Sequence, residues 1–415
     1  MDGRTLVNAS RFAKNFFKLT TSQHILNRNT RYVSQQKRIT KYHFNALLPN
    51  GINLSESNNE FHALYPTVFN VLRELVTEDY NEVLERFDYA VRYNILNRNY
   101  RLCFPIINVY ALLIPDGEDT KENRMLAHIL DWCMEFIASG CLLQDDVVDG
   151  SDKRWRKPCW YQLEEIGTNA TCDTKMMEMA SYILIKKYFS KFPYYKHIFD
   201  IFTETYFLTA YGQSQDICMS HDYQNHRKLR TLTLHAFYSQ YYYKTYFFTC
   251  RMSVYLGMYL TGRNYSEYHD VIDNLMERMA DVQQVQNDAW DCFGSSKKYG
   301  KVGNDIRNGK ATWLVATAQK LADTYQLRLL KDHYGKTDLA SYEIVRQIYD
   351  DLDLLGHYKQ YKAQEIAKLH RDIEQIAADP LKQVMYQCID IYDARDHIVL
   401  DGNDPEDKTD LHTFT

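Results

Sequence analysis

Apolar residues recur at every third or fourth position through most of this chain, and period-two alternation of Val, Ile and Thr is hard to find. The pattern predicts helices over residues 60–92, 121–149, 176–212, 228–261, 265–293, 310–332 and 339–378. Residues 60–92 hold no Gly and one Pro, Pro66, near their start, and residues 121–149 hold no Pro and a single Gly, Gly140. No repeat of fixed length and no linker rich in Gly, Ser or Pro breaks the run. One all-α domain over residues 43–400 is therefore expected.

The two ends depart from the pattern. Residues 1–42 carry Arg4, Arg11, Lys14, Lys18, Arg28, Arg31, Lys37, Arg38 and Lys41 against one acid, Asp2. Leu6, Ala9, Ala13, Phe16 and Phe17 fall at helical spacing among them. This amphipathic, acid-poor stretch reads as a mitochondrial presequence or as a disordered basic arm. The expected location is intracellular, mitochondrial if this stretch is a presequence and otherwise cytoplasmic. Residues 401–415, with Asp401, Asp404, Glu406, Asp407 and Asp410, read as an acidic, poorly ordered tail.

Composition narrows the function classes. Charged residues at 25% and hydrophobic residues at 45% are ordinary for a globular protein of 415 residues. A net charge of −5 argues against general nucleic-acid binding. Nine Cys without a C-x-x-C pair suit a reducing compartment and speak against a zinc site. No uncharged apolar run reaches membrane-spanning length; Leu102 to Pro115, the longest obvious one, is short and holds Pro105.

The candidate chemistry lies where apolar helices run into acids. Leu142-Leu143-Gln144-Asp145-Asp146-Val147-Val148-Asp149 places Asp145 and Asp149 four residues apart, on one helical face. Val285-Gln286-Asn287-Asp288-Ala289-Trp290-Asp291 repeats the spacing with Asn287 and Asp291. A single acidic cluster is ordinarily a solvated face. Two with matching spacing, each behind an apolar run, point to a shared task. Hard oxygen ligands suit Mg²⁺, which is often shared with substrate phosphates. Two such clusters across an apolar bundle would hold Mg²⁺ against a diphosphate, with a hydrocarbon tail in the cavity below. Arg154 follows the first cluster, Lys301 and Lys310 follow the second, Lys244 sits in Tyr243-Lys244-Thr245, and all four would add positive charge. Tyr241, Tyr242, Tyr243, Tyr246, Phe247 and Phe248 surround Lys244 in sequence. They are either core packing or aromatic faces for a carbocation.

The chain resembles the short-chain isoprenyl diphosphate synthases, most of all eukaryotic farnesyl diphosphate synthase, over most of residues 60–378. Gln144 to Asp149, Pro158-Cys159-Trp160-Tyr161-Gln162, Tyr243-Lys244-Thr245, Val285 to Gly294, Gly300 to Ile306 and Trp313-Leu314-Val315 carry the resemblance. It implies an all-α terpenoid-synthase fold, a helical bundle around a central cavity, about three Mg²⁺ ions, and a homodimer. Asp145, Asp149, Asn287 and Asp291 match the family's metal ligands. Arg154, Lys244, Lys301 and Lys310 match its diphosphate-binding positions. Asp146 and Asp288 would orient metal-bound waters.

The resemblance breaks at the family's second substrate site, which takes isopentenyl diphosphate without metal. A Gly-Gly-Lys-x-x-Arg loop is replaced by Asn97-Arg98-Asn99-Tyr100-Arg101. A family Gln becomes Ala138, and the second of two adjacent Arg becomes Trp155. The basic C-terminal tail is replaced by an acidic one. Losing charge-assisted contacts there costs on the order of 1.5–3 kcal/mol each. Gly140 and Cys141 stand where farnesyl synthases carry bulky residues at the floor of the hydrocarbon pocket, and Phe248 would line that pocket. These departures favour a sesquiterpene synthase acting on farnesyl diphosphate, resembling the stink-bug enzymes that make bisabolane products such as sesquipiperitol or α-bisabolene for pheromones. A working geranyl or farnesyl diphosphate synthase, and a non-catalytic subunit regulating one, remain as alternatives.

Overall fold

A computed structural model of the chain describes residues 54–76, 81–97, 104–263, 265–295 and 303–393. The expected arm at 1–42 and tail at 401–415 lie outside them. The described residues are all-α apart from one small hairpin.

The helix that organises the bundle is α5, Lys121–Asp149, preceded by α1 (Leu54–Ala63), α2 (Tyr65–Arg73), α3 (Asn81–Val91) and α4 (Ile106–Leu113). Its 29 residues span about 43 Å at 1.5 Å per residue. Thr120 starts it, its hydroxyl accepting the Asn123 N–H, and Gly150 ends it at φ 64°. Every residue from Leu126 to Gly140 is buried. A helix apolar all round lies inside a protein or a membrane. By length and composition α5 is the one described helix that could cross a membrane, although the sequence suggested no such run; here it is packed inside the bundle. Its polar residues are spent on structure: Asp131 Oδ1 accepts the Ile106 N–H at 2.7 Å and so caps α4. Trp132 stacks on Phe61 at 4.4 Å and donates its indole N–H to the Phe61 carbonyl.

After α5 come a two-stranded hairpin, Lys153–Arg154 with Lys157–Pro158, and then α6 (Ala170–Phe189) and α7 (Tyr195–His226). Next, α8 (Leu234–Tyr241) runs without a break into a π-helical segment, Tyr242–Arg251, and on into α9 (Met252–Thr261). Then follow α10 (His269–Phe293), α11 (Asp305–Asn308), α12 (Trp313–Leu321), α13 (Thr324–His333), α14 (Leu339–Asp351), α15 (Leu354–Ile373) and α16 (Asp379–Asp393). Three clusters of buried side chains join these helices. One lies around α5 and α6, one between α4, α9, α10 and α16, and one where α7, α10, α12 and α14 meet.

Several predicted helices are divided. Residues 176–212 split at Phe192-Pro193, since Pro donates no N–H and disfavours helix in the residue before it. Residues 310–332 split at Asp323, whose carboxylate and Gln326 form a reciprocal cap that starts α13. Residues 339–378 split at Asp353, which sits at φ 48° and caps α15. The hairpin was not predicted at all. Its two turn residues, Trp155 and Arg156, have φ 55° and 64°. Two left-handed residues in a two-residue turn follow the strand twist, a geometry usually served by Asn-Gly.

Candidate active site

Both acidic motifs end helices. Asp145, Asp146 and Asp149 occupy the last turn of α5, and Asp288 and Asp291 the last two turns of α10. Helix C-termini carry about half a negative charge, so carboxylates placed there are destabilised unless cations reach them. Among the described residues three cations reach the first motif, each from a different element.

Arg154, on the hairpin, donates Nε–H to Asp146 Oδ2 at 2.7 Å and Nη2–H to Asp145 Oδ2 at 3.2 Å. Burial works against its charge, but Asp146 and Asp145 outweigh burial and hold its pKa above the ordinary value. Lys310, after α11, donates Nζ–H to Asp149 Oδ1 at 2.7 Å and to Asp216 Oδ2 at 2.9 Å. Lys244, on the π-helical segment, donates to the same Asp216 oxygen at 2.9 Å and lies 3.6 Å from Asp145 Oδ1. Two close backbone approaches permit this. A Cβ on Gly212 of α7 would lie 2.3 Å from the Lys244 nitrogen, and one on Gly303 would lie 1.8 Å from the Asp291 carbonyl oxygen.

The two motifs are linked by the chain that follows α10. The N–H groups of Asn304 and Asp305 donate to the Asp291 carboxylate at 3.4 and 3.0 Å. The side-chain amides of Asn304 and Asn308 both donate to the Asp149 carbonyl at 3.4 Å. Asp288 faces inward: Gln284 donates to Oδ1 and the Trp313 N–H to Oδ2, at 3.0 and 2.7 Å. Burial, then the nearby Asp291, push its carboxyl up to about 8. Burial and Asp145 likewise raise Asp149.

The structure thus gathers Asp145, Asp146, Asp149, Arg154, Lys244 and Lys310 into one ion-paired cluster and sets Asp291 at its edge. Asn287 lies one turn before Asp291 on α10, half-buried. Lys301, Arg98 and Arg101 lie outside the described residues. Gly140 is buried and faces α6, where a Cβ would meet the Thr174 carbonyl at 3.4 Å and Glu178 Cγ at 3.6 Å. The stem of Glu178 therefore fills the space beside that glycine. Cys141 and Phe248 are partly buried against the same apolar cluster, and burial with Glu178 pushes the Cys141 thiol up to about 12.

Two contributors from α7 escaped the sequence reading. Gln213 donates to Asp145 Oδ1 at 2.9 Å, and Asp216 holds both lysines. A signal existed: Asp216 falls on a stripe of small buried residues, Thr205, Thr209, Gly212 and Ser220, where an acid needs partners.

The donor set suits Mg²⁺. It consists of carboxylate and amide oxygens, the hard ligands this cation takes together with water and phosphate. Asp216 Oδ1 and Asn304 Oδ1 are buried without a hydrogen-bond partner, a cost that an added cation or its waters would relieve. Among the described residues no three His, Cys, Asp or Glu side chains form a ready-made cage. Lysine ammoniums stand between the carboxylates instead.

Known proteins are similar to this chain in sequence and in fold. The polyprenyl synthetase family model matches residues 90–352. Farnesyl pyrophosphate synthase of Zea mays is 32% identical over 317 residues, which cover 75% of this chain and 90% of that protein. A chloroplastic monoterpene synthase of Artemisia spiciformis is 31% identical over 342 residues, 81% of this chain and 84% of that one. The fold superposes on T. brucei farnesyl diphosphate synthase complexed with a bisphosphonate with a TM-score of 0.76 at 24% identity, covering 80% of this chain and 97% of that one. A family match over more than half of the chain, with the site built as above, makes this protein a member of the polyprenyl synthetase family, an all-α enzyme acting on prenyl diphosphates.

Proposed function

We propose that this enzyme is a sesquiterpene synthase: it ionises farnesyl diphosphate and lets the cation rearrange or close, instead of extending the chain with isopentenyl diphosphate. The family generally uses Mg²⁺, and Asp145, Asp149, Asn287 and Asp291 are the residues to hold it, as about three ions. Held by these residues, Mg²⁺ would supply Lewis-acid chemistry, neutralising charge on the diphosphate so that it could leave. Arg154, Lys244 and Lys310, with Lys301, take up the developing negative charge. Aromatic faces such as Phe248 stabilise the carbocation while the apolar walls exclude water.

The observation that carries this reading is the tip of the hairpin. Arg154 turns toward Asp145 and Asp146, and the next residue, Trp155, stays beside it with its ring centre 5.8 Å from the guanidinium carbon. A chain-building relative would offer a second guanidinium there. Ala138, in place of an amide, is buried and apolar. A bisabolane product with a signalling role is the specific form of the proposal. The second reading, a short-chain prenyltransferase, has most of the relatives' names on its side.

One pair of incubations decides between them. With Mg²⁺ and farnesyl diphosphate alone, a sesquiterpene should appear together with free diphosphate. With Mg²⁺, dimethylallyl diphosphate and isopentenyl diphosphate, elongation should be negligible. Efficient elongation without any sesquiterpene selects the prenyltransferase; a protein inert in both leaves the regulatory subunit.

A further inference from the structure

We infer that Asp216 is a positioning residue: it holds Lys244 and Lys310 as a preset pair for the diphosphate once metal ions claim Asp145 and Asp149. This rests on the reading of the site as one for a magnesium diphosphate.

The geometry is specific. One oxygen, Asp216 Oδ2, accepts from both ammoniums at 2.9 Å. Each ammonium has one further acid beside it: Asp149 at 2.7 Å for Lys310, and Asp145 at 3.6 Å for Lys244. Those further acids belong to the first acidic motif; Asp216 does not. The two lysines arrive from different elements, one from the π-helical segment and one from the turn after α11, while Asp216 stands on α7. Two ammoniums on one oxygen repel each other, and only a carboxylate between them makes the approach favourable. Burial pushes the Asp216 carboxyl up, but the two lysines outweigh it and hold it below the usual carboxylate range.

Consider what metal binding does to this set. Cations at Asp145 and Asp149 take one acid from each lysine. A free lysine side chain regains its rotamer freedom, which a diphosphate would then have to remove again. Asp216 retains both ammoniums, so that freedom is already spent when the diphosphate arrives. Metal and diphosphate should therefore bind with positive coupling, each easing the other. Asp216 itself is 1% exposed, so it acts through the lysines it holds.

The test titrates inorganic diphosphate into the full-length chain by calorimetry, with Mg²⁺ and then with chelator. Asp216→Asn should weaken binding in Mg²⁺ by at least about tenfold (1.4 kcal/mol). Binding in chelator should not weaken, and the ligand-free unfolding midpoint should fall, because two buried ammoniums lose the carboxylate between them. In a Lys310→Gln background the same substitution should cost less, because one of its two routes is already gone. Equal affinity in Asp216→Asn, or equal cost in both backgrounds, assigns Asp216 to packing and overturns the inference. Should Asp216→Asn fail to fold, Asp216→Asn/Lys310→Gln is compared with Lys310→Gln: weaker binding supports the role through Lys244, and equal binding overturns it. A parent protein that binds no diphosphate even with Mg²⁺ sinks the reading of the site instead.

Discussion

Asp288 shows how one buried acid reports on its surroundings. Its carboxyl rises from an ordinary 3.8 to about 8, chiefly through burial. In metal-free protein the folded state therefore binds a proton that the unfolded chain has released between those values. Stability from this group is greatest below about pH 4 and is lost as pH climbs toward 8. Asp288→Asn keeps an acceptor for the Trp313 N–H and removes the titration. With chelator present, its unfolding midpoint should exceed the parent's at pH 8 and approach it at pH 5; a constant difference across that range would mean that Asp288 does not titrate there. Arg156 offers a second residue-scale case. At φ 64° it strains a turn that glycine would take freely. Arg156→Gly should stabilise the protein by about 0.5–1 kcal/mol, seen as a higher urea midpoint with unchanged slope. The acids of both motifs were legible in sequence because four-residue spacing puts them on one face whatever the fold. Asp216 was not, because its partners Lys244 and Lys310 are 28 and 94 residues away.

At the scale of elements, the contact between α7 and the π-helical segment Tyr242–Arg251 places Lys244. π-turns are frequent at functional sites, and here they widen a helix that sequence periodicity reads as continuous over 228–261. Gly212 lets the two backbones touch. Gly212→Ala should force them apart, costing about 1–3 kcal/mol as overpacking does and weakening diphosphate binding in Mg²⁺. A variant with parental stability and affinity would show that the approach is not constrained. Helix interiors were legible where burial and 3.6-residue periodicity agree, as along α5 and α10, while α4 and α16 lay outside the predicted ranges. Boundaries were less so. Pro193 and the caps at Asp323 and Asp353 are local signals that a long periodic run obscures, and the Trp155-Arg156 turn contradicts local preference altogether. That turn persists because its strands present Arg154 to two acids, a gain made in tertiary structure.

At the scale of the whole molecule, an apolar surface among the described residues remains uncovered. Phe199, Phe207 and Tyr211 lie along one side of α7 at intervals of eight and four residues, with Met179 of α6 and Ile217 also exposed. Phe207 is 69% exposed, and clustered exposed apolar side chains of this kind mark an interaction surface. We expect this face to join two copies. Sedimentation should show a dimer, and Phe207→Asp should weaken it by about 2 kcal/mol without lowering the stability of the monomer; a monomeric parent would refute this. The sequence by itself determined the helical architecture and the two oxygen-rich motifs, because helical periodicity and four-residue spacing are properties of neighbouring residues. Only the tertiary structure decided which cation meets which acid, and that α7 supplies the acid between two lysines. Those pairings join residues far apart in the chain, and their energy depends on burial that no local pattern reveals.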